Sequence, residues 1–293
     1  MKLVAATRGS PLALWQTQHI ASLLEPYGVA VEPLVVVTSG DKDQSAPIHQ
    51  IGGKGVFAKE VQKAVLDKSA DFAVHSLKDL PSLTPEGLKL VAVSSRGDPR
   101  DALVGSSLQD LPVEGHVATG SVRRKAQLAA LRPDLNFHEL RGNIETRLAK
   151  AENFDAIVVS AVALARLGLQ PKAMEILEPE IMLPQVGQGA LGIEIRTDDL
   201  ETNEILLRIQ NPVSRVEVDA ERSFLAALGA DCRSPIASYA IHKNNQIRLR
   251  SLAASDDGKI ILTDDRIGDD GIELGKLAAN ALIENGAKSL FKG

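Results

Sequence analysis

Short apolar runs alternate with helix-like segments through roughly the first two-thirds of the chain, a pattern typical of α/β folds. The runs LVAAT, PLVVV, FAVHSL and LKLVAVSS predict strands, and the unbroken apolar PLVVV predicts a buried one. Ser10 followed by Pro11 predicts the N-cap and the first residue of a helix that continues to Leu24. A second helix, FAKEVQKAVLDK, has an apolar side made of Phe57, Val61, Ala64 and Val65.

A second α/β set begins near Arg96, where GDPRD interrupts the pattern. DALVG, HVATG, NFHELR and DAIVVS predict strands there, and SVRRKAQLAALR and NIETRLAKAE predict the helices between them. Near Met182 the chain passes through LPQVGQGALGIEIR, another predicted strand between loops. Two α/β lobes joined by two such crossings have the organisation of a hinged clamp.

The last part of the chain has a different pattern. Asn211 and Pro212 open a predicted helix that ends at Gly229. IASYAIH, QIRLRSLAA and KIILTDD then alternate around polar turns, which predicts a small antiparallel sheet, and IELGKLAANALIENG predicts a closing helix. The fold class that we expect is therefore two hinged α/β lobes and a small C-terminal α+β domain.

Composition narrows the class of protein. A length of 293 residues predicts two domains, with three possible, and 44% hydrophobic residues without a long apolar run predict a soluble chain. The N-terminus MKLVAATRGS lacks the pattern of an export signal. We therefore expect a cytoplasmic protein that does not act at a membrane, or an organellar one if a transit peptide was removed.

Charge is unevenly distributed. The net charge of −5 argues against nucleic acid as a partner, and 3% aromatic residues argue against a base-stacking surface. The segment 118–150 nevertheless has seven basic and three acidic residues, which is an excess of four positive charges. A small anion is therefore the expected ligand of this lobe.

The chain has one cysteine, Cys232, in the stretch GADCRSPI. A single thiol forms neither an internal disulfide nor a cysteine zinc site, and we predict no metal site. Cys232 is either a small buried hydrophobe or a reactive thiol. A loop after a helix end, with Arg233 beside the thiol to stabilise a thiolate, favours the reactive thiol. Without a recognisable partner base, covalent attachment is favoured over hydrolysis.

Three motifs combine a cation with the end of a predicted strand or the start of a helix. Lys78 and Asp79 in HSLKD are either surface charges or site residues at a strand end, where α/β folds bind ligands. GGKGVF surrounds Lys54 with glycines and is either an anion-binding helix start or a mobile hinge. ATRGSPLALWQ places Arg8 and Ser10 at the end of the first strand.

Two further motifs place arginines at helix N-termini. In TGSVRRKAQL, Ser121 is the predicted N-cap, and Arg123 and Arg124 occupy the first turn, where their charge opposes the helix dipole. LRGNIETR repeats the design with Arg141 at a strand end and Arg147 one turn into the next helix. Scattered surface arginines are the alternative, but two motifs of one design favour a carboxylate or phosphate pocket.

These motifs, together with VGQGALGIE and in this order, resemble the hydroxymethylbilane synthases, also called porphobilinogen deaminases, over nearly the whole chain. The family condenses four porphobilinogen molecules head to tail, with release of ammonia, on a dipyrromethane cofactor bound to cysteine through a thioether. The resemblance implies that Cys232 is the anchor and that Asp79 is the catalytic aspartate, stabilising positive charge on pyrrole nitrogen. One departure is Gly120, where the family often has serine.

The resemblance also assigns the binding residues and the domains. It implies that the cofactor acids are held by Ser76, Lys78, Thr119, Ser121, Arg123 and Arg124. It implies that substrate or the growing chain is faced by Arg8, Ser10, Gln16, Arg141, Arg147 and Gln188. The implied lobes resemble type II periplasmic binding proteins and comprise 1–95 with 190–207, then 96–189, followed by a domain 208–293 that carries Cys232. We expect a monomer.

Two other classes of protein remain open at this point. A cytosolic anion receptor with two lobes explains the α/β pattern and the arginines, but it leaves the cysteine loop and HSLKD unexplained. A thiol-dependent hydrolase uses Cys232 but has no visible base.

Overall fold

The computed structural model describes residues 1–38, 58–230 and 234–291. Its strands are β1 (Lys2–Arg8), β2 (Ala30–Val36), β3 (Phe72–Ser76), β4 (Leu88–Val93), β5 (Asp101–Val104), β6 (His116–Ala118), β7 (Asn136–His138), β8 (Ala156–Ser160), β9 (Met174–Leu177), β10 (Leu191–Arg196), β11 (Ile236–Lys243), β12 (Gln246–Ala254) and β13 (Ile261–Gly268). Its α-helices are α1 (Pro11–Leu24), α2 (Lys59–Leu66), α3 (Val122–Leu131), α4 (Ile144–Ala149), α5 (Ala161–Arg166), α6 (Leu200–Leu207), α7 (Pro212–Leu228), α8 (Gly271–Glu284) and α9 (Ala287–Leu290).

The chain divides into two compact units. Unit 1 comprises Met1–Gly97 and Gly189–Val216, and unit 2 comprises Asp98–Gln188 and Glu217–Gly293. Each unit contains one five-stranded sheet, and unit 2 also contains a three-stranded sheet.

The sheet of unit 1 has the strand order β2-β1-β3-β10-β4. β1, β2 and β3 are parallel, whereas β10 runs antiparallel to both of its neighbours. Helix α1 packs Ile20 and Leu24 on one face of the sheet, and α2 packs Val61 and Val65 on the other. Because helices cover both faces, every residue of β3 and β10 is buried except the last one of each strand.

The larger sheet of unit 2 repeats this arrangement, with the order β7-β6-β8-β5-β9. β6, β7 and β8 are parallel, and β5 is the antiparallel strand in the fourth position. Leu128 of α3 belongs to the core on one face, and Leu164 of α5 belongs to the core on the other. The antiparallel strand therefore comes from a chain crossing in both sheets: β5 follows the first crossing, and β10 follows the second.

The C-terminal elements form the antiparallel sheet β11-β12-β13. Helix α8 packs on β12 and β13. Ala237 and Leu252 of the sheet share an apolar cluster with Ala126 of α3, so this sheet packs against the α/β part of unit 2. Two α/β sheets and a small antiparallel sheet confirm the predicted fold class.

Two sequence-based details need correction. PLVVV lies in β2, which is the edge strand of its sheet, and Val35 is 51% exposed, so the predicted burial is wrong. The predictions also lacked β9, α5, α6 and α9, which are short elements with weak periodicity. The prediction for Phe57 lies outside the described residues, whereas Val61 and Val65 are buried as expected.

Candidate functional site

The predicted residues of unit 1 lie at the edge of its sheet where the parallel strands β1 and β3 end. β1 and β3 are parallel and end at Arg8 and Ser76, so both strands present their carboxyl ends on the same edge. Ser10 is the N-cap of α1, and its hydroxyl accepts a hydrogen bond from the Ala13 amide at 3.3 Å. Gln16, nearly two turns further along α1, donates its side-chain amide to the Ser76 hydroxyl at 2.7 Å. Helix α1 thus connects the ends of the two strands.

Lys78 and Asp79 lie in a single 3₁₀ turn, Leu77–Asp79, that directly follows β3. The buried Leu77 anchors this turn, and its amide donates to the carbonyl of Ala190 at 3.0 Å. Lys78 and Asp79 are half-buried at the sheet edge. The carboxyl edge of an open α/β sheet is where such folds bind ligands, and the turn places a cation and an anion there together.

A buried polar cluster lies behind this edge and was missed by sequence analysis. Glu194 of β10 is 1% exposed, and its Oε2 accepts a hydrogen bond from Gln62 of α2 at 2.8 Å. The Nε2 of His75 lies 3.0 Å from the same oxygen, at ion-pair distance. His75 immediately precedes Ser76, so the cluster connects the end of β3 to β10 and α2. Its members are far apart in sequence, and no local pattern indicates their contact.

Ser121 of unit 2 is the N-cap of α3, as predicted, and its hydroxyl accepts from the Arg124 amide at 3.4 Å. Thr119 follows β6 and stabilises this turn, because its hydroxyl accepts from the Ser121 amide at 3.2 Å. Between them, a Cβ on Gly120 would lie 2.6 Å from the carbonyl oxygen of Leu140. A serine at this position therefore requires a backbone shift, which explains why glycine fits this chain.

Arg123 and Arg124 are buried rather than exposed at the helix N-terminus. Arg123 donates to Asp101 Oδ2 at 2.8 Å, and Arg124 donates to Asp101 Oδ1 through Nε at 3.1 Å and through Nη2 at 2.8 Å. They also donate to the main-chain carbonyls of Leu183 and Val158, respectively. The charges of Arg123 and Arg124, which are unfavourable beside the helix dipole, are therefore paired with Asp101. Sequence analysis did not identify this carboxylate.

Sheet topology explains why Asp101 lies there. It is the first residue of β5, and because β5 is antiparallel to β8, Asp101 pairs with Ser160 at the carboxyl end of β8. Burial by itself raises the pKa of Asp101, but the charges of Arg123 and Arg124 outweigh burial and hold this pKa well below its ordinary value. Asp101 is therefore ionised at neutral pH.

Gln188 belongs to the same cluster. Its side-chain amide donates to Asp101 Oδ1 at 2.8 Å and to the carbonyl of Pro99 at 2.7 Å. The two chain crossings therefore meet at Asp101 within unit 2, because Pro99 lies in the first crossing and Gln188 in the second.

Arg141 and Arg147 lie around the start of α4. Asn143 caps this helix by accepting from the Thr146 amide at 2.8 Å, and Arg147 Nε donates to the carbonyl of Gly142 at 2.8 Å. Arg166, at the end of α5, was not identified from sequence; burial lowers its pKa to about 10. A perturbed arginine close after β8 is a further candidate for anion binding.

Some candidates cannot be placed. Cys232 and the glycine-flanked Lys54 lie outside the described residues. Within the described ranges, the structure contains no group of three or more His, Cys, Asp or Glu side chains that could hold a metal ion. No helix in those ranges is long and apolar enough to cross a membrane.

Two family models match the chain. One, porphobilinogen deaminase, dipyromethane cofactor binding domain, matches residues 3–204, and the other, porphobilinogen deaminase, C-terminal domain, matches residues 215–284. The chain belongs to the porphobilinogen deaminase family. Porphobilinogen deaminases from two strains of Acidithiobacillus ferrooxidans are each 43% identical to it over 293 residues, covering 98% of this chain and 96% of theirs.

The solved structures that match the chain are more distant. A putative lipoprotein from Actinomyces odontolyticus has a TM-score of 0.42 at 13% identity, covering 70% of this chain and 90% of that one. A TRAP periplasmic solute binding protein from Ralstonia eutropha has a TM-score of 0.38 at 14% identity, covering 77% and 81%.

The described residues of unit 2 fit an acidic cofactor such as the family's dipyrromethane. Among the described residues of the cluster, two buried guanidinium groups face one buried carboxylate, which is an excess of one positive charge. The Nε of Arg123 is a buried donor, and no residue in the part of the chain that the structure describes accepts a hydrogen bond from it. An orphaned donor in a positively charged cluster at the start of a helix is suited to a carboxylate ligand.

Proposed function

We propose that this protein is a hydroxymethylbilane synthase, which joins four porphobilinogen molecules head to tail and releases one ammonia for each. The product is a linear tetrapyrrole, an intermediate in porphyrin and haem biosynthesis. The observation that carries this proposal is the match to porphobilinogen deaminases at 43% identity over 98% of the chain. Such a protein is a transferase.

We further propose that dipyrromethane is bound covalently to Cys232 through a thioether. The family model that matches residues 3–204 is described as a cofactor binding domain, and Cys232 is the single cysteine of the chain. When bound, dipyrromethane supplies the primer on which the product is built. The residues proposed to hold its acid groups are Ser76, Lys78, Thr119, Ser121, Arg123 and Arg124.

Asp79 is the proposed catalytic residue. Loss of ammonia from porphobilinogen breaks a carbon–nitrogen bond and leaves positive charge that the pyrrole nitrogen shares. A carboxylate held in a short turn at the sheet edge stabilises this charge without having to reorganise. It also accepts or returns a proton at the same nitrogen. The buried Leu77 and the Leu77–Ala190 hydrogen bond keep the turn in place.

The remaining predicted residues are proposed to bind the carboxylates and amine of porphobilinogen or of the growing chain. They are Arg8, Ser10, Gln16, Arg141, Arg147 and Gln188. Gln16 and Ser10 lie on α1 at the edge that carries Asp79. Gln188 also donates to Asp101 and to the carbonyl of Pro99, and these two hydrogen bonds fix the position of its side chain.

We propose four further properties of this protein. They are a three-domain organisation with the boundaries given above, a monomeric state, a cytoplasmic location, and porphobilinogen rather than nucleic acid as the partner. Size-exclusion chromatography with light scattering tests the monomeric state.

Intact mass spectrometry combined with an activity assay tests the function. We expect purified wild-type protein to carry one dipyrromethane adduct and to release ammonia from porphobilinogen with formation of a tetrapyrrole. Cys232→Ser is expected to lack both the adduct and the activity. An anion receptor would bind porphobilinogen without releasing ammonia, and an unmodified but fully active wild type would contradict the covalent cofactor.

A further inference from the structure

The cluster around Asp101 contains more hydrogen bonds than a simple ion pair. One carboxylate receives three donors from two arginines and one from Gln188, and every side chain involved is almost completely buried. Gln188 is itself fixed by the carbonyl of Pro99. Because both oxygens of Asp101 are occupied by donors from different residues, the planes of the two guanidinium groups cannot rotate independently.

The charges of the described residues in the cluster also do not balance. Arg123 and Arg124 contribute two positive charges, and Asp101 contributes one negative charge. The amides at the start of α3 add partial positive charge at the same place. Arg123 Nε is buried and has no hydrogen-bond partner among the described residues, which is an independent sign that a ligand belongs there.

We propose that Asp101 is a positioning residue for the predicted cofactor site: it orients Arg123 and Arg124 and reduces their combined charge from two to one, so that the site accepts a single carboxylate. This inference rests on the proposed function, because it takes Arg123 and Arg124 as the groups that hold a cofactor acid. Asp101 itself does not contact the cofactor.

A merely structural Asp101 would stabilise the fold without affecting which anion binds. A positioning Asp101 sets the charge of the site, and its removal changes the preference between anions. Asp101→Asn keeps the size of the side chain and one acceptor oxygen but leaves two positive charges. Since the Coulomb attraction scales with charge, a divalent anion should then gain about twofold more than a monovalent one.

The test uses the full chain with Cys232→Ser, which lacks the thiol for covalent loading. Melting temperatures are measured in sodium acetate and in sodium sulfate at equal ionic strength. Asp101→Asn is compared with Asp134→Asn, a matched control because Asp134 pairs with Arg132 just beyond the other end of α3, at 2.7 Å and partly exposed. The control measures the general effect of sulfate on stability.

We expect the sulfate-induced rise in melting temperature, relative to acetate, to be larger in Asp101→Asn than in Asp134→Asn, by up to about twofold. In chloride alone, Asp101→Asn is expected to melt about 10 °C lower, because it breaks a buried ion pair. Equal sulfate effects in both variants would overturn the proposal even if Asp101→Asn is less stable.

A second variant keeps the test valid if Asp101→Asn does not fold. Asp101→Glu retains the charge but displaces it by one methylene. With Cys232 intact, we expect this folded variant to carry the adduct in a smaller fraction of molecules than the Asp134→Asn control. A full adduct fraction in Asp101→Glu together with unchanged anion preference would refute the positioning role.

These readouts separate the two levels of inference. If wild-type protein carries no adduct and releases no ammonia, the proposed function fails. The anion preference of the Cys232→Ser variants would still test what Asp101 does to the two arginines.

Discussion

Gln62→Leu tests the buried cluster behind the Asp79 turn. The substitution keeps the approximate volume of the side chain and removes the amide that donates to Glu194 Oε2 at 2.8 Å. Gln62 is 3% exposed and Glu194 is 1% exposed, so water cannot readily replace the lost donor. Removing the donor of a buried acceptor costs about 1–3 kcal/mol, and we expect the free energy of unfolding to fall by about 2 kcal/mol.

The assay is urea denaturation followed by tryptophan fluorescence. Trp15 is the only tryptophan of the chain and lies on α1, so its emission reports on unit 1, which contains the cluster. Lys63→Ala is the matched control, because Lys63 is the next residue of α2 and its side chain is 72% exposed in an ion pair with Asp67. Exposed pairs of this kind contribute about 0.3–0.5 kcal/mol.

The comparison between the two variants decides the outcome. A loss of stability in Gln62→Leu that is no larger than in Lys63→Ala would refute the view that the cluster stabilises unit 1. A change in the urea dependence of unfolding rather than in its midpoint would indicate an altered denatured state and would count against the same view.

Three further predictions concern the site. Asp79→Asn should fold and retain cofactor but turn over roughly 10²–10⁴-fold more slowly than wild type, and Asp79→Glu should turn over about 10²-fold more slowly. The assay is ammonia release from cofactor-loaded samples. A turnover of Asp79→Asn within a few fold of wild type would exclude catalysis by Asp79. Arg141→Ala should weaken porphobilinogen binding by about 2–5 kcal/mol with only partial recovery in Arg141→Lys, and unchanged Michaelis constants would remove Arg141 from the site. The pKa of Asp101 is lowered from 3.8 in the folded protein, so the stabilisation by its carboxylate is fully present above pH 3.8 and is lost as the pH falls towards the folded pKa. The free energy of unfolding, measured by urea denaturation at a series of acidic pH values, should therefore depend less on pH in Asp101→Asn than in wild type. Identical pH dependence in the two proteins would contradict this linkage.

Local features of the fold could be predicted because neighbouring residues determine them. Ser10, Ser121 and Asn143 each cap a helix by accepting from an amide three residues later, and such bonds depend only on adjacent backbone. Gly229 ends α7 with a φ of +71°, a conformation that glycine adopts without steric cost. The alternation of strands and helices similarly indicated two α/β parts before any contact was known.

Strand order could not be predicted in the same way. The composition of PLVVV is that of a buried strand, but β2 lies at the edge of its sheet, where Val35 is exposed. Whether an apolar strand is central or peripheral depends on which other strands pair with it. Here the central position beside β3 is taken by β10, a segment more than a hundred residues further along the chain.

The candidate site shows the same division. The sequence by itself determined that a lysine and an aspartate follow one strand, that arginines begin two helices, and that the order of these motifs is that of porphobilinogen deaminases. Tertiary structure alone decided that Arg123 and Arg124 are buried on Asp101, which is 22 and 23 residues away, and that Glu194 lies behind the Asp79 turn. Caps and turns form from contacts within a few residues, whereas buried charges need partners that only the pairing of distant strands brings within hydrogen-bonding distance.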